Sequence, residues 1–398
     1  MNIIVAVHDS VSPIKGGGAL RTVMCAVELK KRGHNVAVVA PSEKEELDGQ
    51  LRCFRLPFIR KGQTGFAGLG VFVAEYVFAI LRINRLWKKE YGKGVEMVFV
   101  HNAVLGFPSA LLGFFMRFRF VLDITDLHSE YIKHTRRGFL ESLALPFMRW
   151  AEYFSARRAD RVIAVTETMK GMLVSEGKLN PAKIDVVYDG VDFEKFYPIA
   201  RIREGAESSS AGGNIIYIGS MEETDGIDVF VKAIPVIAAA SRGTKFIFVG
   251  GGGDFDGVVG KIREMGIYDR CVFTGWIEYE KVAGWMKEAS IGLITRPPTP
   301  PNHTVITLKL LEYWASGVAV VSSRLKGIEE VASDGEDVIF FDGYSADELA
   351  DKVLLLLKSP SVREKLAQNA LSKVKRFDWR GLIEKIRDIV EKEGASFL

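Results

Sequence analysis

The chain has 398 residues, of which 48% are hydrophobic and 26% charged, so it suits about two globular domains and is too apolar to be disordered. Its three cysteines lie far apart without a C-x-x-C pair, which argues against a disulfide framework or a cysteine-based zinc site. The net charge of +3 combines a basic N-terminal half with an acidic C-terminal half, so one half is expected to meet an anion.

Short apolar segments alternate with helical patterns over the first 190 residues. The segment MNIIVAVHDS predicts a buried strand and not a signal peptide. The predicted strands are Ile3–Val7, Val36–Ala40, Met97–Val100, Phe120–Ile124, Val162–Val165 and Ile184–Val187. The helix predicted over Leu20–Lys31 stops at Gly33. This alternation predicts a parallel sheet with helices on both faces.

The pattern breaks near Pro198, and the Ser- and Gly-rich stretch Arg203–Gly213 predicts a linker or surface loop. The alternation then resumes with helices over Asp228–Ala240 and Asp347–Lys358. The predicted strands here are Ile215–Ile218, Lys245–Val249, Cys271–Phe273, Ile291–Ile294, Val318–Val321 and Val338–Phe341. We therefore predict a second doubly wound α/β domain. Ligands of such sheets bind at the carboxyl ends of the strands.

Two apolar stretches, Phe66–Leu81 and Ala103–Met116, are too short for the roughly 18–20 apolar residues of a membrane span. They are interpreted as buried core helices or as lipid-facing helices.

A glycine run, Lys15–Gly18, follows the first strand and precedes the first helix. Glycine lets the backbone approach a ligand, and the free N–H groups of the helix favour an anion. The run matches neither the G-x-G-x-x-G fingerprint nor a P-loop. It predicts a phosphate cradle or a plain tight turn.

A second informative run is TVITLKLLEYWASG, residues Thr304–Gly317, after the Pro-rich loop Arg296–Pro301. Lys309 and Glu312 are three residues apart and share a helix face. The carboxylate could accept ribose hydroxyls and the lysine could neutralise a diphosphate. The alternative is a surface ion pair.

Several motifs, in order, resemble the retaining GT-B glycosyltransferases, particularly family 4. Arg296–Ser323 is similar to the family's nucleotide-sugar signature, and KGGGALRTV to its first glycine loop. Further similar segments are ADRVIAVTE (Ala159–Glu167), YDGVDFEKF (Tyr188–Phe196), IYIGSM (Ile216–Met221), FVGGGGD (Phe248–Asp254), FTGWI (Phe273–Ile277), KGIEEV (Lys326–Val331) and FDW (Phe377–Trp379). The resemblance covers nearly the whole chain.

The resemblance implies a GT-B fold of two Rossmann-like domains facing across a cleft. Residues 1–198 would form the acceptor-side domain, residues 199–375 the nucleotide-sugar domain, and residues 376–398 a helix crossing back to the first domain. The implied reaction transfers a sugar from a nucleoside diphosphate with retention, through an oxocarbenium-like transition state. It implies no cofactor and no metal, because helix N-termini and basic side chains stabilise the leaving diphosphate.

The resemblance also assigns candidate site residues. Glu312 would hold the ribose, Lys309 and Arg296 would contact the diphosphate, and Val305–Leu308 would offer backbone N–H groups. The full set of implied donor contacts is Gly16, Gly17, Gly18, Gly219, Arg296, Thr304, Val305, Thr307, Lys309 and Glu312. The loop DITDLHSEY supplies the candidate catalytic residues Asp126 and His128. His128 could instead be a packed or surface histidine, and His101 is a weaker candidate.

The sequence departs from the family pattern at five positions. Ser220 and Asp225 replace the usual Arg and Lys, and Thr304 replaces the first glutamate of E-x7-E. Thr125 stands for the usual His, and Asp189 for the usual Asn. We hypothesise that Lys309 and Arg296 compensate for the missing basic pair.

The expected partners are a nucleotide-sugar donor and a glycan or lipid-linked acceptor. Arginines flank the amphipathic stretch Phe139–Phe154, at positions Arg136, Arg137, Arg149, Arg157 and Arg158. This predicts a core helix or one that lies on an anionic membrane. The expected location is the cytoplasm, with a peripheral position at the inner membrane face left open.

Other functions compete with this interpretation. A non-catalytic protein of the same fold is the main alternative, and an epimerase would need a carboxylate pair that the sequence does not reveal. A nicotinamide dehydrogenase is disfavoured because the fingerprint is missing. Nucleic-acid binding is disfavoured because the basic residues are dispersed.

Overall fold

A computed structural model describes residues 1–12, 14, 17–47, 49, 51–57, 66–134, 139–205 and 213–395. The chain divides into two compact units, Met1–Asp189 with Arg380–Leu398, and Gly190–Trp379. Each unit holds one sheet with its own helices.

The first unit contains an eight-stranded sheet in the order β3-β4-β2-β1-β5-β6-β7-β8, within the described residues. Its strands are β1 (Asn2–Ala6), β2 (Asn35–Pro41), β3 (Glu46–Leu47), β4 (Leu51–Leu56), β5 (Met97–His101), β6 (Arg119–Ile124), β7 (Arg161–Ala164) and β8 (Ile184–Val186). The pairs are parallel except for β3 with β4. Buried β-branched residues fill β1, β2 and β5, as expected for a sheet covered on both faces.

The second unit contains a six-stranded parallel sheet in the order β11-β10-β9-β12-β13-β14, within the described residues. Its strands are β9 (Ile215–Ile218), β10 (Phe246–Val249), β11 (Cys271–Phe273), β12 (Ile291–Ile294), β13 (Ala319–Ser323) and β14 (Ile339–Phe341). Its core packs residues of two helices, α8 (Ile227–Ala240) and α14 (Ala346–Lys358), against the sheet, including Phe230 and Val353.

The helices connect the strands. They are α1 (Gly17–Lys31), α2 (Phe66–Tyr91), α3 (Ala103–Leu112), α4 (His128–His134), α5 (Phe139–Arg158), α6 (Glu167–Ser175), α7 (Phe193–Gly205), α8 (Ile227–Ala240), α9 (Phe255–Glu264), α10 (Tyr279–Met286), α11 (Pro300–His303), α12 (Leu308–Ala315), α13 (Lys326–Glu329), α14 (Ala346–Lys358), α15 (Pro360–Val374) and α16 (Trp379–Ala395). Short 3-10 helices cover Pro181–Lys183, Glu223–Asp225, Tyr268–Arg270 and Lys375–Phe377. Among the described helices, none combines the length and apolarity needed to cross a membrane.

Each sheet has one point where the strand order reverses. In the first unit β1 lies between β2 and β5, and in the second unit β9 lies between β10 and β12. At such a switch point the loops leave in opposite directions and open a crevice at the carboxyl ends of the strands. Each unit therefore has one expected ligand site, beside β1 and β5 in the first unit and beside β9 and β12 in the second.

The predicted α/β class with two parallel sheets is confirmed, and every predicted strand is present within two residues at either end. The expected break near Pro198 is wrong, because α7 runs through Pro198 to Gly205. The first compact unit ends at Asp189, before that helix. The linker predicted over Arg203–Gly213 falls largely on residues 206–212, outside the described residues.

Candidate functional site

The first switch point collects polar side chains where β1 and β5 end. His8 and Asp9 follow β1, while His101 ends β5 and Asn102 follows it. Asn102 has a positive φ of 65° with a ψ of 161°, a backbone conformation that residues other than glycine rarely adopt. Its side-chain oxygen accepts the N–H groups of Thr125 at 2.9 Å and Asp126 at 3.2 Å. Asn102 thereby fixes the loop after β6.

A buried arginine anchors this switch point. Arg21 of α1 is fully buried and donates to both carboxylate oxygens of Asp123, at 2.8 and 3.0 Å. It also donates to the carbonyls of Val187 and Tyr188 and to Asp189 at 3.3 Å. Burial alone would raise the pKa of Asp123, but Arg21 and His101 lower it to about 2. A fixed ion pair of this kind holds the surrounding loops in place.

His101 links that ion pair to the glycine loop. Its Nδ1 lies 3.0 Å from Asp123 and its Nε2 lies 3.1 Å from the hydroxyl of Thr125. A Cβ on Gly18 would lie 2.3 Å from Nε2 of His101. The glycine is therefore required because the imidazole occupies the space of a side chain. Gly17 begins α1, and the predicted donor contact Gly16 lies outside the described residues.

The candidate catalytic residues Asp126 and His128 lie in the loop after β6 and at the start of α4. Asp126 is half-buried, and one of its oxygens lies 3.3 Å from the hydroxyl of Thr125. The rings of His8 and His128 meet edge to face at 5.1 Å. Their Nδ1 atoms are buried and have no hydrogen-bond partner among the described residues. Burial lowers the pKa of both histidines, for His8 to about 4.

Sequence reasoning missed Arg21, His8 and Asn102. The sequence gives no sign of the role of Arg21, because an arginine inside an amphipathic helix normally faces solvent. Its partner Asp123 is also distant in sequence. His8 and Asn102 could have been found, because each lies within two residues of the end of a buried strand that adjoins the switch point.

The second switch point begins with a glycine that has no room for a side chain. Gly219 follows β9 with φ of 141°, and a Cβ there would lie 2.3 Å from Nζ of Lys309. Gly250, after β10, has φ of 129° and its Cβ would collide with the carbonyl of Gly219. Glycine is favoured at Gly219 by its positive φ, and it is required at Gly250 by both the positive φ and the approach of the Gly219 carbonyl.

Two candidate donor contacts meet at one carboxylate. Arg296, after β12, has its Nε 3.3 Å from Asp225, and Nζ of Lys309 lies 3.8 Å from the same oxygen. Burial lowers the pKa of Lys309, and Asp225 counteracts that shift. The ion pair between Lys309 and Glu312, one alternative from the sequence, is not among the described ion pairs. The structure thus brings Lys309 and Arg296 together around Asp225.

Glu312 lies one turn further along α12 and is only 4% exposed. It accepts a hydrogen bond from the side chain of Tyr279, while burial raises its pKa. Nζ of Lys195 lies 3.8 Å from the centre of the Tyr279 ring. A buried carboxylate with one phenol donor keeps acceptor capacity for further hydroxyl groups.

The segment before α12 holds the remaining candidates. Thr304 is buried, and its hydroxyl donates to the carbonyl of Pro301 at 2.8 Å. Val305 is buried, with its carbonyl against Gly327. Thr307 occupies the N-cap of α12, yet its buried hydroxyl has no hydrogen-bond partner within the described residues. That hydroxyl and the first N–H groups of α12 are available to an anion.

Within the described parts of the chain, no group of three or more His, Cys, Asp or Glu residues could hold a metal ion. The three cysteines are free.

Comparison with known proteins agrees with this arrangement. A family model described as Glycosyltransferase Family 4 matches residues 15–195, and one described as Glycosyl transferases group 1 matches residues 212–359. The alpha-D-kanosaminyltransferase of Streptomyces kanamyceticus is 22% identical over 360 residues, which cover 86% of this chain and 91% of the relative.

Solved structures show the same fold. Sucrose-phosphate synthase from Thermosynechococcus elongatus aligns with a TM-score of 0.80 at 17% identity, covering 100% of both chains. Anabaena HepE in complex with UDP and glucose aligns with a TM-score of 0.75 at 16% identity, covering 98% of this chain and 100% of that one. The predicted GT-B fold is therefore confirmed.

Proposed function

This chain belongs to the group 1 glycosyltransferases of family 4, and from that premise we propose that it moves a sugar from a nucleoside diphosphate to a glycan or lipid-linked acceptor, with retention at the anomeric carbon. Glu312 holds the ribose, and Lys309, Arg296 and Thr307 contact the diphosphate. Gly219, which follows β9 with a positive φ, is proposed to lie beside Lys309 at the donor. Gly17 and Gly18 are kept as candidate ligand contacts of the first unit.

The observation that carries the proposal is the meeting of Lys309 and Arg296 around Asp225 at the second switch point. Two cations share one carboxylate, so the cluster has an excess positive charge. Glu312, on the next turn of α12, supplies a hydroxyl acceptor. A positive cluster beside a buried carboxylate matches a diphosphate joined to a ribose.

We propose that the reaction needs no metal. The leaving diphosphate gains charge in the transition state, and fixed cations and helix N–H groups stabilise that charge without reorganising. Lys309, Arg296 and the N-terminus of α12 would fill this role. Asp126 and His128 are proposed to orient the donor sugar or to receive the acceptor proton.

The proposed location is the cytoplasm, in keeping with three free cysteines. HepE, which binds UDP and glucose, supports a nucleotide-sugar donor for this chain. WaaG, a glycosyltransferase involved in lipopolysaccharide biosynthesis, supports a lipid-linked glycan as the acceptor class.

The test is calorimetric titration with UDP, GDP, ADP and CDP in the presence of EDTA. One nucleotide is expected to bind, and Glu312→Gln should weaken it about 10- to 100-fold through loss of charged hydrogen bonds. The exposed Glu264→Gln in the same unit is the matched control. The product of the matching sugar donor, analysed by NMR, should keep the anomeric configuration of the donor.

Asp225 favours a second candidate, a protein that binds nucleotide sugar without turnover. It places a negative charge where the diphosphate would enter. Tight nucleotide binding with no transfer to any glycan or lipid acceptor would support this alternative. Absence of nucleotide binding would contradict both candidates.

A further inference from the structure

The predicted membrane-facing arginines of α5 are engaged within the chain. Arg149 pairs with Glu176, and Arg157 donates to the carbonyl of Gly177. Arg158 lies over the ring of Phe114 at 4.2 Å. Arg136 and Arg137 lie outside the described residues. The charges that would attract a membrane to α5 are therefore largely occupied.

Helix α2 differs, because its exposed face carries large apolar residues in its first half, with Glu75 exposed among them, and basic residues in its second half. Val71, Phe78 and Arg85 are seven residues apart, which is about two helical turns, so they align on one face. Ala74, Leu81 and Lys88 form a parallel row, and all six side chains are exposed. Phe78 is 67% exposed and Leu81 is 43% exposed. Large apolar side chains that are this strongly exposed next to one another mark an interaction surface.

The basic half of this face lines a groove of about 480 Å³, which we call the α2 groove. Its walls are Arg52, Phe78, Leu81, Arg82, Arg85, Leu86 and Lys89. Arg52 and Arg82 lie over the ring of Phe54, at 4.9 and 5.9 Å, which holds both guanidinium groups beside the groove.

The α2 groove has four cationic side chains, and none of them forms an ion pair with a carboxylate among the described residues. Other exposed arginines of the same unit, such as Arg32 and Arg55, do pair with glutamates. Four neighbouring positive charges repel one another, and a bound anion would relieve that repulsion. The apolar row beside them favours an anion that is attached to an apolar group.

We propose that the α2 groove and the row Val71, Phe78 and Leu81 dock this protein onto an anionic lipid bilayer. Lipid phosphates enter the groove, and Phe78 and Leu81 insert at the boundary between headgroups and acyl chains. The site is separate from the proposed donor site in the second unit.

The direction in which α2 runs predicts how the first unit would be oriented on the bilayer. Its basic end lies at the amino edge of the first sheet, where Asn84 accepts the N–H of Val95 just before β5. Its apolar end is therefore toward the carboxyl edge, the edge that holds the first switch point. The more deeply inserted end would turn that edge toward the lipid, which suits a lipid-linked acceptor if the proposed function holds.

Vesicle flotation of the full chain tests the proposal without using catalysis. Vesicles of phosphatidylglycerol and phosphatidylcholine should bind the protein, and pure phosphatidylcholine vesicles should not. The double variant Arg82→Gln/Arg85→Gln should bind about 30-fold more weakly, since each cation near an anionic surface contributes roughly fivefold. The matched control Lys31→Gln/Lys44→Gln removes two exposed charges elsewhere on the same unit and should bind like the parent.

A fluorescent label distinguishes insertion from simple charge attraction. In a Cys271→Ser background, an environment-sensitive dye on Phe78→Cys should shift to the blue with the anionic vesicles. The same dye on Tyr344→Cys should not shift, although Tyr344 is similarly exposed, at 65%. Inorganic phosphate at millimolar concentration should not displace the bound vesicles.

The proposal is overturned if the parent does not float with anionic vesicles, if both charge variants lose binding equally, or if only the dye at position 344 responds. Displacement by inorganic phosphate would assign the groove to a free phosphate instead of a bilayer. Thermal unfolding of the same variants, which should match that of the parent, shows that they are folded. The test uses no nucleotide, so its outcome is separate from that of the proposed function.

Discussion

The two switch points manage their charges in opposite ways. In the first unit, Arg21 is fully enclosed and makes five hydrogen bonds, two of them to Asp123. In the second unit, Asp225 serves Lys309 and Arg296 at 3.8 and 3.3 Å, and all three remain partly exposed. In the first unit, groups of the protein satisfy all the hydrogen bonds described for Arg21. In the second unit, Lys309 and Arg296 can exchange the carboxylate of Asp225 for the anion of a ligand. This difference suggests that the first site positions loops while the second binds the charged part of a ligand.

The largest effect is expected from breaking the enclosed ion pair. Arg21→Met leaves Asp123 buried without its cation, so unfolding free energy should fall by about 3–5 kcal/mol. Urea unfolding measures the loss. Arg32→Met is the control, because its surface pair with Glu28 should contribute under about 1 kcal/mol. A loss as small as the control's would show that the ion pair does not hold the first site together.

Lowering the pH should reduce the stability of the protein mainly through the first switch point. Burial, with a contribution from His101, lowers the pKa of His8 from 6.5 to about 4. Between these pH values the unfolded chain binds a proton that the folded chain does not, so stability falls as pH drops through this window, by up to about 3 kcal/mol. His8→Gln should flatten that fall in urea titrations at pH 7 and 4.5. The exposed His134→Gln should leave it unchanged, and an equally steep fall in His8→Gln would contradict the assignment.

The second site should respond through ligand affinity more than through stability. Lys309→Ala removes one of two cations from a cluster that folding does not complete, so nucleotide affinity should drop about 10- to 100-fold. Calorimetry measures the affinity, and Lys232→Ala, in an exposed pair with Asp228, serves as control. Unchanged affinity would refute the hypothesis that Lys309 compensates for the missing basic pair.

Glycine-to-alanine substitutions should give the smallest changes in stability, and they compare a crowded glycine with an open one in the first unit. A Cβ at Gly18 meets His101, which Asp123 and Thr125 hold in place, so Gly18→Ala should cost about 1–3 kcal/mol. Gly171, within α6, has open space around it, so Gly171→Ala should add about 0.5–1 kcal/mol. Thermal unfolding of both variants compares them directly. Equal effects would mean that His101 moves freely.

The strands could be predicted from sequence because they are buried on both faces and form continuous apolar runs. The strand β4 was missed because Arg52 and Arg55 interrupt its run, and its partner β3 is only two residues long. The break predicted near Pro198 does not occur, because α7 continues through this proline to Gly205.

The site was partly predictable because its residues follow strand ends. The approach of Lys309 to Gly219 could be anticipated from two motifs, but the role of Asp225 could not. A single acidic residue in a turn gives no sign of the two cations it will meet. The same holds for Arg21 and Asp123, whose pairing depends on the packing of α1 against the sheet.

The path of the chain separates the order of synthesis from the order of folding. The first unit needs α16, whose Leu382, Ile386 and Val390 are buried in it and whose Arg387 pairs with Glu28 of α1. That helix is made after the whole of the second unit, whereas domains usually begin to fold as they emerge from the ribosome. The second unit has all its residues earlier and can complete its fold first. Deletion of α16 would therefore damage the unit that is made before the second one.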